Sequence, residues 1–210
     1  MTVRLYDYWR SSACYRVRIA LNLKGIEYET IDTSLIDNAH QAEAYRAMNP
    51  QGFVPMLEID GCRLTQSLAI VDYLDAKVAD PPFAPKDPAA RAHVLGMALV
   101  VACDIHPLNN LRVLAYLKRK FDVPEPERDA WYRHWVIEGL AALESLAADA
   151  GAFLSGETPG IADLCLVPQL YNARRFGVDV TPYPTLTRID AACAALEPFA
   201  RAHPDAVKAA

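Results

Sequence analysis

Val3-Arg4-Leu5-Tyr6-Asp7-Tyr8-Trp9-Arg10-Ser11-Ser12-Ala13-Cys14-Tyr15-Arg16-Val17-Arg18-Ile19-Ala20-Leu21-Asn22-Leu23-Lys24-Gly25 decides the fold. Val3 to Tyr8 is a β-rich run, and from Ser12 to Lys24 the period becomes helical, with Cys14, Val17 and Leu21 on one stripe. Gly25 falls at the position just past the helix, where a residue without a Cβ closes it most easily. A strand that turns so quickly into a helix aims the helix N-terminus at the turn Arg10-Ser11-Ser12-Ala13-Cys14. Free backbone N–H groups and the helix dipole favour an anion there.

Beyond Gly25 the same alternation continues. A second strand is predicted at Tyr28 to Asp32, a short helix at Ala39 to Ala47, and two strands, Val54 to Ile59 and Arg63 to Thr65, around the turn Asp60-Gly61. A helix from Ser67 to Val78 places Ile70, Val71, Leu74 and Val78 on one face. The order βαβ, α, ββα predicts a small α/β sheet domain of the thioredoxin kind. Pro81, Pro82, Pro85 and Pro88 then interrupt every period, as a semi-rigid linker would. From there no convincing strand appears, and Tyr132, Val136, Leu140, Leu143 and Leu146 keep helical spacing. The predicted organisation is a thioredoxin-like domain over 1–80, a linker over 81–88 and an all-helical domain over 89–210. Near the end of this domain Asp163 follows Gly160 by three residues, which predicts an N-cap weaker than one with Ser or Thr.

Composition narrows the function. With 52% hydrophobic and 22% charged residues the chain has what a packed globule needs. Its 21 Lys and Arg against 26 Asp and Glu give a net charge of -5, so no global positive field draws nucleic acid or anionic lipid. The most apolar run, Val94 to Cys103, is read as too short to span a bilayer and ends at Asp104. Five scattered cysteines make neither a C-x-x-C nor a zinc spacing, and read as reduced thiols of a cytoplasmic protein without a metal site.

Three features of the first domain converge on one edge of the predicted sheet. Ser11 holds the place where redox proteins of this fold have their attacking cysteine, and Cys14 stands alone one turn later, so dithiol exchange lacks its thiol. Val54-Pro55 opens the third strand, where a proline removes a ladder donor unless the bond is cis and the strand edge faces a ligand, and from the dipeptide by itself a trans edge proline is the expected form. Gln66-Ser67 stands where the fourth strand becomes a helix, so N–H groups and a hydroxyl would face a carboxylate. Ordinary N-cap serines serve Ser11, Ser12 and Ser67 equally well. Taken together the three describe a groove for a short peptide with a thiol near Ser11 and a carboxylate near Ser67.

At this point the chain resembles a family. Ser11 to Gly25, Asn49-Pro50, Val54-Pro55, Gln66-Ser67-Leu68-Ala69-Ile70 and Ala162 to Gln169 are similar to the signatures of zeta-class glutathione transferases, the maleylacetoacetate isomerases. Cys103 to Arg112, Arg174 to Asp179 and Thr181-Pro182-Tyr183-Pro184 resemble the bacterial branch, which also contains maleylpyruvate isomerases. Ala13 stands where the class often has cysteine, and Gly160 where its cap usually has Ser or Thr.

The resemblance implies glutathione as cofactor, with Ser11 steadying its thiolate and Ser12, Ala13, His40, Val54, Gln66 and Ser67 holding the tripeptide. From the helical domain Asp104, His106, Asn110 and Arg112 would join, and Arg10 and Arg175 would meet the acidic substrate. The Val54-Pro55 bond is predicted cis, so that Val54 can offer both N–H and C=O to the ligand as another strand would. The implied reaction is cis-trans isomerisation of a dicarboxylic keto acid, maleylacetoacetate, by reversible thiolate addition, in a cytoplasmic homodimer. Isomerisation of maleylpyruvate, a general conjugating or haloacid-dehalogenating activity, and a non-catalytic assembly module are the rival readings.

Overall fold

In the computed structural model, which describes residues 2–208, the strand β1 (Arg4–Asp7) lies inside a four-stranded sheet of order β2-β1-β3-β4. β2 (Glu29–Asp32) runs parallel to β1, and β3 (Met56–Ile59) runs antiparallel to it. β3 turns into β4 (Cys62–Thr65) at Asp60-Gly61, whose φ values of 52° and 78° are those a two-residue hairpin needs. The register then decides where a site can form. Tyr6 pairs with Met56 and Met56 with Thr65, so the residues after β1, before β3 and after β4 emerge at the same end of the sheet. This is the expected thioredoxin-like arrangement.

Helix α1 (Ser12–Leu23) buries the predicted stripe completely, with Cys14, Val17 and Leu21 all at 0% exposure. It ends as predicted at Gly25, φ 63°, where the Gly25 N–H reaches the Asn22 carbonyl (3.1 Å) and the Ile26 N–H the Leu21 carbonyl (2.9 Å). The helix expected over Ala39 to Ala47 is instead a 3₁₀ turn (Ala39–Gln41) and a short α2 (Glu43–Met48), broken at Ala42. The cause is tertiary. Gln41 Nε2 donates to the Gly52 carbonyl (3.1 Å), and a Cβ on Gly52 would lie 3.0 Å from the His40 carbonyl oxygen, so 40–41 is held against the 49–53 loop. Helix α3 (Ser67–Lys77) starts directly after β4 and buries Ile70, Val71 and Leu74.

The chain divides into two compact units, up to Pro82 together with everything from Ala194, and Phe83–Cys193. The expected boundaries left 194–210 with the helical domain. Here α9 (Glu197–Ala202) and α10 (Pro204–Val207) join the sheet unit, because Arg18 Nε donates to the Ala202 carbonyl (3.0 Å) and Asn22 Nδ2 to the Pro198 carbonyl (2.9 Å).

The second unit is built from α4 (Pro88–Leu99), a π-helical turn (Val100–Ile105), α5 (Leu111–Phe121), α6 (Glu125–Leu146), α7 (Ile161–Arg175) and α8 (Pro184–Ala194). Its core takes Val136, Leu140 and Leu143 from α6 and nearly all of α7. Pro88–Ile105 is one apolar helical stretch of 18 residues with mean hydropathy 1.4, long enough by length and composition to cross a membrane and longer than the Val94 to Cys103 run read from the sequence. It carries Arg91 and Asp104, and its Val94, Met97, Ala98, Val101 and Ile105 are buried within the unit. The weak cap expected at Gly160 also reads differently. A Cβ there would sit 2.2 Å from the Phe83 carbonyl oxygen, which instead accepts the Ile161 N–H (2.8 Å). The Asp163 carboxylate accepts from Gly160 (2.9 Å), as the expected box requires, while Ser155 Oγ accepts from Ala162 (3.3 Å) and stands in for the missing hydroxyl.

Candidate active site

Ser11 is the N-cap of α1. Its N–H donates to the Tyr8 carbonyl (2.8 Å) and its Oγ accepts the Cys14 N–H (3.3 Å). A hydroxyl both accepts and donates, so while Ser11 Oγ accepts here, its one hydrogen, which also lies within reach of the Cys14 sulfur, can turn to an incoming anion. The N-cap role and the anion-binding role are therefore compatible in one side chain. Beneath the turn lies Arg18, fully buried, with Nη1 on both Asp7 carboxylate oxygens (2.8 and 3.0 Å) and Nη2 on the Trp9 carbonyl (3.0 Å). Burial pushes the Asp7 carboxyl above its ordinary value while the guanidinium pulls the other way. Burial also pushes the Cys14 thiol well above its ordinary value, with the neighbouring Asp7 charge adding to the effect, so Cys14 stays a protonated core residue.

Val54 packs in one cluster with Tyr8, Cys14, Tyr45 and Met56, which ties the start of β3 to the turn at Ser11. The bond to Pro55 is cis, as predicted. The loop before it is anchored by two donors to the Phe53 carbonyl, Tyr45 Oη (2.6 Å) and Asn49 Nδ2 (2.7 Å). That explains Asn49 in the Asn49-Pro50 pair. Among the described residues neither the N–H nor the carbonyl of Val54 has a backbone partner.

The third corner is the start of α3. Gln66 is its N-cap at φ 68°, ψ 114°, without a side-chain cap, and its Nε2 donates to Gln51 Oε1 (2.7 Å). Such backbone costs about 1–3 kcal/mol and persists where surroundings enforce it. Ser67 therefore occupies the first helical position rather than the cap, is 7% exposed, and its Oγ accepts from Arg16 Nη1 (3.3 Å). His40, half-buried with Nδ1 3.4 Å from the Ser34 carbonyl, reaches this end of the sheet through its contact with Gly52. Ser12 is buried, Ala13 half-buried, and the Arg10 guanidinium stacks 5.3 Å from the Trp9 ring centroid. The first unit thus gathers the residues predicted from its sequence at one end of one sheet.

Sequence reading passed over Arg16 and Arg18. Their signal was present: from Tyr15 to Leu21 the helix is apolar apart from these two arginines, and a helix apolar all round is buried all round.

In the second unit the candidates are more exposed. Asp104 is exposed on the π-helical turn, a feature frequent at functional sites, and His106 follows it half-buried. Asn110 caps α5, its Oδ1 accepting the Arg112 N–H (3.1 Å), while Arg112 is exposed. The loop between them is pinned to α6 by Trp131 Nε1 on the Leu108 carbonyl (2.9 Å) and Asn109 Nδ2 on the Tyr132 carbonyl (3.2 Å). Arg175, at the end of α7, lies 4.7 Å over the Phe176 ring, which stacks on Tyr132 at 3.6 Å. Burial pushes the Tyr132 hydroxyl up to about 12, against the charge of Arg175.

The residues of the first unit suit glutathione: Val54 presents an unpaired peptide edge, Ser67 a hydroxyl and helix N–H groups suited to a carboxylate, and Ser11 a hydroxyl suited to a thiolate. Comparison with known proteins agrees. Residues 1–76 match the family model for the glutathione S-transferase N-terminal domain, and 127–206 match a C-terminal domain model of the same family. The chain is 49% identical to a maleylacetoacetate isomerase of Rhizobium meliloti (strain 1021), over 97% of each chain. It superposes with TM-score 0.94, at 44% identity and 97% coverage of both chains, on the holo structure of a maleylpyruvate isomerase described as a bacterial zeta-class glutathione S-transferase. A maleylacetoacetate isomerase of Anaeromyxobacter dehalogenans 2CP-1, 46% identical over 98% of this chain and 96% of that one (TM-score 0.88), was solved with glutathione in its active site. The same protein was also solved with dicarboxyethyl glutathione and citrate there.

Proposed function

The chain belongs to the zeta class of the glutathione transferase family, and from that premise we propose that it isomerises maleylacetoacetate to fumarylacetoacetate with glutathione as cofactor, in aromatic amino-acid catabolism. The observation that carries the reading is the Ser11 hydroxyl at the N-cap of α1, at the same sheet end as the unpaired peptide edge of Val54. When bound, glutathione supplies a thiolate whose addition turns the maleyl double bond into a single bond that can rotate.

The chain's own part is to bind, orient and stabilise charge. Ser11 donates to the thiolate, helped by the N-terminal N–H groups of α1, which keeps the thiol ionised at neutral pH. Ser12 and Ala13 form the wall beside it, Val54 pairs with the cysteinyl backbone, and His40, Gln66 and Ser67 hold the ends of the tripeptide. Asp104, His106, Asn110 and Arg112 of the helical unit are candidates on family membership alone. Arginine suits the carboxylates of the acid and charge developing on it, since the planar guanidinium forms two parallel bonds and keeps its charge when partly desolvated, and Arg10 and Arg175 are the candidates, each read within its own unit. All five cysteines are free, which supports a reducing, cytoplasmic setting. Membership in the class supports a homodimer.

Turnover of maleylacetoacetate with and without glutathione tests the reading, and loss of the reaction on omitting glutathione is the expected result. The 44% identical maleylpyruvate isomerase favours a second reading with the shorter acid, so kcat/KM for the two maleyl acids is measured side by side. Arg175→Lys should lower kcat/KM about tenfold while glutathione affinity stays near the parent value. An unchanged Arg175→Ala enzyme would return this side chain to a solvated surface role.

A further inference from the structure

Helix α1 buries two arginines, and their surroundings differ. The charge of Arg18 is met by the Asp7 carboxylate and two carbonyls. Arg16, 2% exposed, makes a single bond, Nη1 to Ser67 Oγ at 3.3 Å, while its Nε and Nη2 are buried without partners. Among the described residues no carboxylate lies within ion-pair distance of it. An unpaired buried cation is destabilising, and buried N–H groups are nearly always satisfied. Its single contact, Ser67, opens α3. That helix start also presents free N–H groups, on backbone that Gln66 holds at φ 68°.

A guanidinium can only donate, so Ser67 Oγ is the acceptor and its own hydrogen must point away from Arg16. A chain running from cation to hydroxyl to anion strengthens each bond in it. We propose that Arg16 is a positioning residue for the α-carboxylate at the γ-glutamyl end of glutathione: it acts through Ser67, holding that hydroxyl as an outward donor and placing a fixed positive charge behind it. The proposal deepens the glutathione reading and rests on it.

The test is calorimetric titration with glutathione and with γ-aminobutyryl-cysteinylglycine, which lacks only that carboxylate, on the parent chain, Arg16→Met, Arg16→Lys and Ser67→Ala. Arg16→Met should weaken glutathione about 10–100-fold, the range of a charge-assisted hydrogen bond, and leave affinity for the decarboxylated analogue unchanged. Arg16→Lys should recover much of the loss. In the Ser67→Ala background Arg16→Met should add almost nothing. The thermal midpoint of Arg16→Met should not fall, since it replaces an unpaired buried charge by an apolar side chain. In turnover the change should appear in KM for glutathione far more than in kcat. Equal losses for both ligands, a full loss persisting in Ser67→Ala, or a fallen midpoint with KM and kcat equally affected would make Arg16 merely structural and overturn the proposal. Should Arg16→Met fail to fold, Arg16→Lys carries the same ligand comparison, and equal affinity losses for the two ligands overturn it again. A parent chain that binds neither ligand overturns the glutathione reading itself, an outcome separate from a parent that binds glutathione and an Arg16→Met that binds it equally well.

Discussion

The starts of α1 and α3 lie at the same end of one sheet, and each carries a serine, yet they are built differently. At α1 the backbone is ordinary, Ser11 at φ -70° and ψ 122°, and the serine oxygen is engaged by a neutral N–H of its own helix. At α3 the cap residue Gln66 is at positive φ, the serine sits one position further in, and its oxygen is engaged by a buried guanidinium from another helix. The difference follows the charge each would meet. A thiolate that must remain reactive is stabilised by neutral donors and a dipole, whereas a carboxylate that only anchors the ligand can be met by a full charge.

Ser11→Ala should separate the two most sharply. It removes one donor to the reacting anion and should lower kcat about 10²-fold or more. The lost cap should cost about 1 kcal/mol of stability in denaturant titration. Ser12→Ala should do less, and equal losses in the two would collapse the distinction drawn for α1.

Next is Cys14→Ala. Burial keeps this thiol protonated, so turnover should stay within about threefold and the pH at which the rate rises should not move. Stability should drop by about 1–2 kcal/mol for the small cavity. A shifted pH profile at unchanged stability would make Cys14 part of the acid-base machinery of α1.

A smaller effect tests the backbone of α3. Gln66→Gly relieves the positive φ and should raise stability by up to about 1 kcal/mol, while Gln66→Val should lower it. A glycine variant that gains stability but loses glutathione affinity would show that the held backbone serves the ligand.

The smallest effect concerns the loop carrying Val54. Burial raises the Tyr45 hydroxyl to about 12. Between roughly pH 10 and 12 the unfolded chain therefore loses this proton first, so stability falls as pH rises through that window. Tyr45→Phe should flatten that slope and cost about 1 kcal/mol at neutral pH, softened because Asn49 Nδ2 still holds the Phe53 carbonyl. Alkaline unfolding curves of the two proteins check both points.

How much of this was legible in the sequence depends on the distance between interacting residues. The turn at Asp60-Gly61, the close of α1 at Gly25 and Ser11 at its start are decided within a few residues, by which side chains tolerate positive φ and which accept a helix N–H. Apolar spacing placed the strands and helices, and their order βαβ, α, ββα, that of a thioredoxin-like sheet, carried the convergence of Ser11, Val54 and Ser67, while the faces that must be buried hold the register. Tertiary structure alone decided the rest. The split of the 39–48 segment comes from the close approach to Gly52, the lack of room for a Cβ at position 160 from the Phe83 carbonyl, and the placement of 194–208 from donors on α1. Arg16 belongs with these: its partner lies 51 residues away, and a buried charge takes its meaning from what the folded chain brings to it.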